Sequence, residues 1–437
     1  MQSGNKKLPR ECPPNPWPSN RALPAAVGDL PDTGRGARIP SPRRGERARE
    51  RGPSLNLTGI AWRGYALPFR ERYVTSGGQA TSKHGLLVFL RTSDGLLGTG
   101  EASPVGPGSA DEVANLATAL RRLAPRLLAS DPEEAETNLD KWDDIPPEVR
   151  FGLETAGLDL RGQAAGRSFS ELLGGSPTSL TVNALIAAES PGQAVAEALE
   201  AVGLGFWSLK LKVGHADLSR DEALVSAVRR TVGAEVKLRL DPNQAWDVDR
   251  AIEALRTLSR YGIEYVEQPV PAADIAGLAA VRRAVTVPIA ADESLGSLRD
   301  LHRLLEADAA EFFVLKAARL GGLKASLEVA SAALEAGKQV VITTSLESSV
   351  GVAASAHLAS SIPSGGPAHG LATGLLLADD LASPRLLPQR GGLATPSSPG
   401  LGVKVDPALL RKCDIGVMGC AGSPAGLEEY LEPPGLQ

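Results

Sequence analysis

The sequence predicts an α/β protein: a (β/α)8-type, TIM-like barrel preceded by an α+β capping domain. Two features carry this expectation. Eight short β-rich runs recur through the second half of the chain, their starts 24–29 residues apart, with Ala- and Leu-rich helical stretches between them. That interval is the length of one βα unit in a parallel barrel. Ahead of them, residues 57–175 pass from β-forming runs to helical spacing, as an antiparallel sheet followed by helices would. A doubly wound open sheet is the alternative, but no Gly-rich phosphate loop follows its first strand.

The 437 residues carry a formal net charge of −5, with 43% hydrophobic and 22% charged residues, which excludes a wholly disordered chain. No apolar run reaches the roughly 18–20 residues of a membrane helix. Three cysteines (Cys12, Cys413 and Cys420) are too few for a disulfide framework or a structural zinc site. The charge is uneven: residues 1–53 hold 11 Lys and Arg against 5 Asp and Glu, and the rest holds 35 against 46. An acidic body argues against a nucleic-acid partner.

In chain order, residues 1–54 read as a disordered basic leader or linker, rich in Pro, Arg, Gly and Ser. They lack the apolar segment of a secretory signal. Their Arg bias fits an organelle transit peptide, and their acidic residues fit a linker. Residues 55–178 are expected to form the cap. GIAWRGYALPF and HGLLVFLRTSDG read as strands, Ser93-Asp94-Gly95 as a turn, and GLLGTGEASPV places its glycines at further turns. VANLATALRRLAPRLL and VRFGLETAGLDLRGQAAG then read as helices. Residues 179–384 carry the barrel runs at 180–187, 207–213, 236–241, 263–267, 287–292, 312–316, 339–344 and 368–372. The Gly/Pro-rich segment 385–437 is expected to return to the cap. Trp207 and Trp246 read as core packing, and His215 and His302 lack a partner histidine for metal binding.

Catalytic residues of a parallel barrel lie at the C-terminal ends of its strands. Here those ends are charged. Asp241, Glu267 and Asp292 close three successive runs, and adjacent strands lie about 4.8 Å apart, so the three carboxylates can converge. A hard divalent cation resolves their repulsion, and oxygen-only ligands favour Mg²⁺ over zinc, with Mn²⁺ as the substitute. The competing reading makes each residue a helix N-cap. Lys210 and Lys212, two apart, share one face of their strand, and Lys316 lies across the barrel. A neighbouring cation, a metal and burial would lower the pKa of Lys212 toward general-base range. These residues suit removal of a proton α to a carboxylate of a small-molecule substrate.

KLKVG, RLDPNQAW, YVEQP, ADES and VLKAARLGG resemble, in order, the barrel motifs of the enolase superfamily, and of its muconate-lactonising subgroup in particular. Enzymes of this superfamily pair a Lys or His base with Mg²⁺. The resemblance spans roughly residues 57–405 and implies a capping domain over a catalytic barrel. It implies that Asp241, Glu267 and Asp292 bind Mg²⁺, that Lys212 and Lys316 face the substrate, and that Asn243 and Glu293 support the ligands. The stretch from Arg72 to Gly85 occupies the place of a mobile loop closing over substrate.

ITTSLESSVG and AHGLATGLLLADDL are similar to the o-succinylbenzoate synthase family. There the Ser/Thr-rich loop holds the substrate's succinyl carboxylate, which makes Thr344 and Ser345 substrate-binding candidates beside Lys210. The implied reaction dehydrates 2-succinyl-6-hydroxy-2,4-cyclohexadiene-1-carboxylate, with Lys212 as base and then acid and Lys316 as a cationic stabiliser. It belongs to menaquinone or phylloquinone biosynthesis, implying a plastid location in a plant or alga and a cytoplasmic one elsewhere. The alternative is an N-acyl amino acid racemase or dipeptide epimerase, in which both lysines act. Dipeptide epimerases usually carry an acidic pair in the loops after the seventh and eighth strands, which His369-Gly370-Leu371-Ala372-Thr373-Gly374 lacks. A non-catalytic barrel is the third reading, and it predicts a broken site.

Overall fold

A computed structural model describes residues 56–432, apart from 76–77, 129, 140–141 and 143. The leader at 1–54 lies outside the described residues. The cap begins with strands β1 (Leu57–Thr75), β2 (Gly78–Thr92) and β3 (Leu97–Ala102) and helices α1 (Ala110–Leu127), α2 (Pro132–Leu139), α3 (Pro147–Ala165) and α4 (Phe169–Leu172). Successive strand residues face opposite sides, and β2 uses both. Leu86, Val88 and Leu90 pack with Val113, Leu120 and Leu153 of the cap helices, whereas Leu87 and Phe89 join the core shared with the barrel.

One expectation for the cap needs correction. Gly98 and Gly100 lie inside β3 rather than at turns. A Cβ on Gly100 would stand 1.9 Å from the Gly152 carbonyl oxygen, so glycine is what lets α3 press against the strand. The described residues of the stretch from Arg72 to Gly85 lie on β1 and β2, with Tyr73 opposite Ala80 and Val74 opposite Gln79, and Arg72, Tyr73 and Gln79 line the cavity described below. Gly95, at φ 97°, does sit in the expected turn, where a left-handed conformation favours glycine.

The barrel follows as β4 (Ser179–Thr181), β5 (Ala184–Ile186), α5 (Pro191–Gly203), β6 (Ser208–Lys212), α6 (Leu218–Val232), β7 (Lys237–Asp241), α7 (Val248–Leu258), β8 (Ile263–Glu267), α8 (Ile275–Ala284), β9 (Ile289–Ala291), α9 (Leu298–Glu306), β10 (Phe312–Lys316), α10 (Ala317–Leu320), α11 (Leu323–Glu335), β11 (Gln339–Thr343) and α12 (Ser349–Ala359). Strands β5 to β11 form one parallel sheet in sequential order. The expected eighth strand at 368–372 is not regular. It supplies isolated parallel bridges, His369 to Val182 and Gly370 to Thr343, that join the first and last segments of the sheet. Run 180–187 also divides, because β4 turns away to pair with β12 (Gly392–Ala394). Beyond it come α13 (Pro407–Lys412), β13 (Asp414–Gly422) and α14 (Glu428–Leu431), with β13 antiparallel to β1 in the cap sheet.

Helix α7 is amphipathic. In α7, Ala251, Ala254, Leu255 and Leu258 recur at one-face spacing and are buried. Burying a leucine contributes roughly 1.5–3 kcal/mol. Inside the barrel, Tyr265, Ala290, Val314 and Val341 form a packed layer. Each stands two residues before a strand-end position, so Glu267, Asp292, Lys316 and Thr343 point the same way, one layer higher. Trp246 is buried as expected. Trp207 is not: it precedes the first β6 residue and is 62% exposed, because the strand's inward positions begin after it.

Candidate active site

The reading of the strand-end acids as helix caps is excluded by the caps themselves. Asp217, Asp247, Asp274 and Ser297 accept the first-turn N–H groups of α6, α7, α8 and α9. Asp241, Glu267 and Asp292 are thus spared capping, yet all three are buried to within 2% of full burial. A buried carboxylate is costly unless paired.

Lysines provide the pairing. Lys210 Nζ lies 3.0 Å from Asp241 Oδ2 and 2.9 Å from Glu267 Oε1. Lys212 Nζ lies 2.7 Å from the same Asp241 oxygen and also donates to Asn243 Oδ1. Lys316 Nζ is 2.5 Å from Asp292 Oδ2. Asn243 in turn donates to Glu293 Oε1 at 3.4 Å. The structure thus brings these eight predicted residues to one cavity of about 1020 Å³. Thr344 and Ser345 line the same cavity from the segment after β11, without an ion pair or hydrogen bond to these lysines among the described contacts. Thr344 Oγ1 shares a 2.6 Å hydrogen bond with Thr373 Oγ1. Among the described residues, the buried Ser345 Oγ and Glu293 Oε2 have no hydrogen-bond partner.

The electrostatics follow from burial and charge. Burial raises the Glu267 pKa to about 7, with Lys210 opposing and Asp241 and Asp292 adding repulsion. Burial works against the ionised form of Asp292, but Lys316 and Arg319 outweigh it and hold the carboxyl at about 2. Asp241 is likewise lowered: burial opposes this, and Lys210 and Lys212 overcome it. Lys212 departs from the sequence expectation. Burial and Lys210 pull its pKa down, yet Asp241 more than compensates and lifts it above the ordinary 10.5. The lysine is held charged by the very carboxylate expected to bind metal.

Among the described residues, no three acidic, His or Cys side chains stand close enough to hold an ion as they are. The carboxylates are engaged by the lysines instead. Their chemistry still fits a hard cation: three buried carboxylates on neighbouring strands, with Glu267 raised first by burial and further by the repulsion of Asp241 and Asp292.

Sequence reasoning missed two groups. Arg319, within α10, donates to Asp292 Oδ1 at 2.7 Å and to its carbonyl at 2.9 Å. It lies inside the VLKAARLGG motif, so the signal was available. Gln268 follows Glu267 at φ 39°, and its Oε1 accepts from the Asp292 and Ser294 amides at 3.1 Å each. It lies inside the YVEQP motif, so the signal was available here too. The cap supplies Phe69, Arg72, Tyr73 and Val105 to the cavity wall, and α5 with its preceding loop adds the acidic Glu189, Glu197 and Glu200.

A family model for the mandelate racemase / muconate lactonizing enzyme N-terminal domain matches residues 67–174, and an enolase C-terminal domain-like model matches 193–409. The chain is 40% identical to an o-succinylbenzoate synthase of Thermobifida fusca over 256 residues, 58% of this chain and 77% of that protein. It is 31% identical to a hydrophobic dipeptide epimerase of Enterococcus faecalis over 309 residues, 70% and 87% of the two chains. A muconate cycloisomerase of Pseudomonas putida is 33% identical over 335 residues, 75% and 89%. Among solved structures, a dipeptide epimerase of Cytophaga hutchinsonii in complex with Mg and a dipeptide superimposes with a TM-score of 0.76 at 26% identity, covering 84% of this chain and all of that one. The chain belongs to the enolase superfamily of enzymes, in its muconate-lactonising subgroup.

Proposed function

We propose that the protein is a Mg²⁺-dependent o-succinylbenzoate synthase, acting in menaquinone or phylloquinone formation. One observation carries this reading. The cavity wall built by residues 343–346 and 370–376 contains no acidic side chain, and its polar side chains are the hydroxyl-bearing Thr343, Thr344, Ser345 and Thr373. Hydroxyls suit a substrate carboxylate, and an ammonium group against this wall would lack a counter-charge, since the acidic Glu189, Glu197 and Glu200 stand on the α5 side of the cavity. That favours a succinyl group over the free amino end of a dipeptide. The 40% identity to the Thermobifida fusca synthase supports the same choice.

On this reading the barrel at 179–384 holds the site and the segment 55–178 covers it. Asp241, Glu267 and Asp292 would hold Mg²⁺, which would supply positive charge for the carboxylate next to the reacting carbon. Lys212 must first shed the proton that Asp241 holds on it, which engagement of Asp241 by the cation would favour, and as a free amine it then removes the α-proton. Lys316, kept as an ammonium, stabilises the enediolate across the cavity. Lys212 then returns its proton to the departing ring hydroxyl, which leaves as water while the ring becomes aromatic. Lys210 balances the charge of Asp241 and Glu267 throughout.

A second reading, N-acyl amino acid racemase, is supported by the lysine pairing. Lys212 and Lys316 both line the cavity and each has its own carboxylate, Asp241 and Asp292. Two lysines serving opposite faces of one carbon would exchange its proton and invert it. Incubating the purified protein with Mg²⁺ and the cyclohexadiene substrate tests the synthase, with aromatic absorbance as the expected readout. No absorbance change, together with α-deuterium exchange in N-succinyl amino acids, would assign the racemase instead.

A further inference from the structure

Helix α12 starts in the interior: all eleven of its residues are buried. The first N–H groups of a helix have no partner within it, and water cannot serve them there. The chain answers with a residue from another layer. Glu101, fully buried on β3 of the cap, accepts from the Ser348 amide at 3.1 Å, the Ser348 hydroxyl at 2.5 Å and the Gly351 amide at 3.0 Å. Its first oxygen also takes hydrogen bonds from Tyr65 Oη and, at 2.7 Å, from Ser103 Oγ. Asp380 serves the Ser349 amide at 3.0 Å.

What this helix start controls is the cavity. Only residues 344–348 connect β11 to α12, and Thr344, Ser345 and Leu346 face the cavity. Leu346 is held at φ 73°, a left-handed conformation that a leucine keeps only where its surroundings impose it. Glu347 reaches back to the Ser345 amide. Nearby Lys83, fully buried, donates to Pro104 O at 2.5 Å and Gly106 O at 2.6 Å, fixing the cap-side wall that contains Val105. Burial lowers the pKa of that ammonium to about 8, while the charges of Glu347 and Glu101 favour it.

We propose that Glu101 is a positioning residue for substrate specificity: by holding the start of α12 against the cap, it sets the place of Ser345 and Leu346 in the cavity. The proposal rests on the reading that this loop receives the substrate's remote carboxylate. Loss of binding far from the reacting carbon, equal in ground and transition states, raises KM and spares kcat.

The test is Glu101→Gln, which keeps the shape but turns an N–H₂ group toward amide donors. Expected is a KM rise of about tenfold with kcat within about twofold, the scale of one charge-assisted hydrogen bond. Hydrogen exchange of the 344–351 amides should quicken in the same variant. Should Glu101→Gln fail to fold, Ser348→Ala keeps the carboxylate and removes one of its donors together with the Ser348 Oγ cap on the Val350 amide, with a KM rise of about threefold expected. A folded variant with unchanged KM and unchanged exchange overturns the proposal, as does a fall in kcat at constant KM. The exchange experiment needs no substrate. If the wild-type protein lacks synthase activity, that reading fails while the exchange result still judges Glu101.

Discussion

Lys212 Nζ lies 2.7 Å from Asp241 Oδ2, so the ammonium facing the cavity is tied to a carboxylate at the end of the next strand. A base and a metal ligand in direct contact share one charge balance. Lys212→Ala should lower turnover by about 10³-fold, the range of general-base catalysis, and leave Mg²⁺ affinity within a few-fold. Turnover and calorimetric Mg²⁺ titration of the same sample check this. Near wild-type turnover would remove Lys212 from the chemistry.

Mg²⁺ binding should depend on pH through Glu267. Its carboxyl titrates near 7 in the metal-free fold, against 4.5 as the ordinary value. Between those values the folded form keeps a proton that the unfolded chain has lost. The stabilisation from this raised pKa is therefore present below about 4.5 and lost as pH rises through 7. A cation needs the ionised carboxylate and must expel that proton. The rise in Tm on adding Mg²⁺ should be larger at pH 7.5 than at 5.5, and absent in Asp292→Asn. Chelation should reverse it. Equal shifts at both pH values would detach Glu267 from the metal.

A second pH effect belongs to the core. His357 is fully buried; its Nδ1 accepts the Ser170 amide at 3.2 Å and its Nε2 bonds the Leu401 carbonyl at 3.0 Å. Burial lowers its pKa from 6.5 to about 4. The folded pKa is depressed, so its contribution is complete above 6.5 and is lost as pH falls toward 4. At 1.36 kcal/mol per pKa unit the loss is of order 3 kcal/mol. Urea unfolding at pH 7 and pH 4.5 should show a smaller pH difference in His357→Asn than in the wild type, although His357→Asn is less stable at neutral pH.

The cap depends on contact without side chains. Gly100→Ala should destabilise the protein by about 3 kcal/mol, because the added methyl meets the Gly152 carbonyl oxygen, which no rotamer change can move. Chemical denaturation measures the loss. A neutral result would mean that β3 and α3 separate easily.

The regular parts of the barrel were legible because their signals are local. Runs 263–267 and 312–316 coincide with β8 and β10, apolar segments bounded by turns. The alternation that makes Lys210 and Lys212 neighbours on one face also needs only adjacent residues. At 368–372 the same composition yields only bridges, since pairing there depends on where Val182 and Thr343 lie. Trp207 misled for a similar reason: an aromatic beside a strand signals burial, but its exposure depends on which layer covers it.

From sequence alone came the order of the βα units and the charged residues closing them, because periodicity and strand-end position are carried by short stretches of chain. Tertiary structure decided their pairing. It set Lys212 on Asp241 and Lys316 on Asp292, and so raised the Lys212 pKa where sequence reasoning expected it lowered. It also placed Glu101 at the start of a helix 247 positions further along. Such contacts join residues distant in sequence, and burial and Coulomb attraction depend on distance in space. They exist only once the cap and the barrel have packed together.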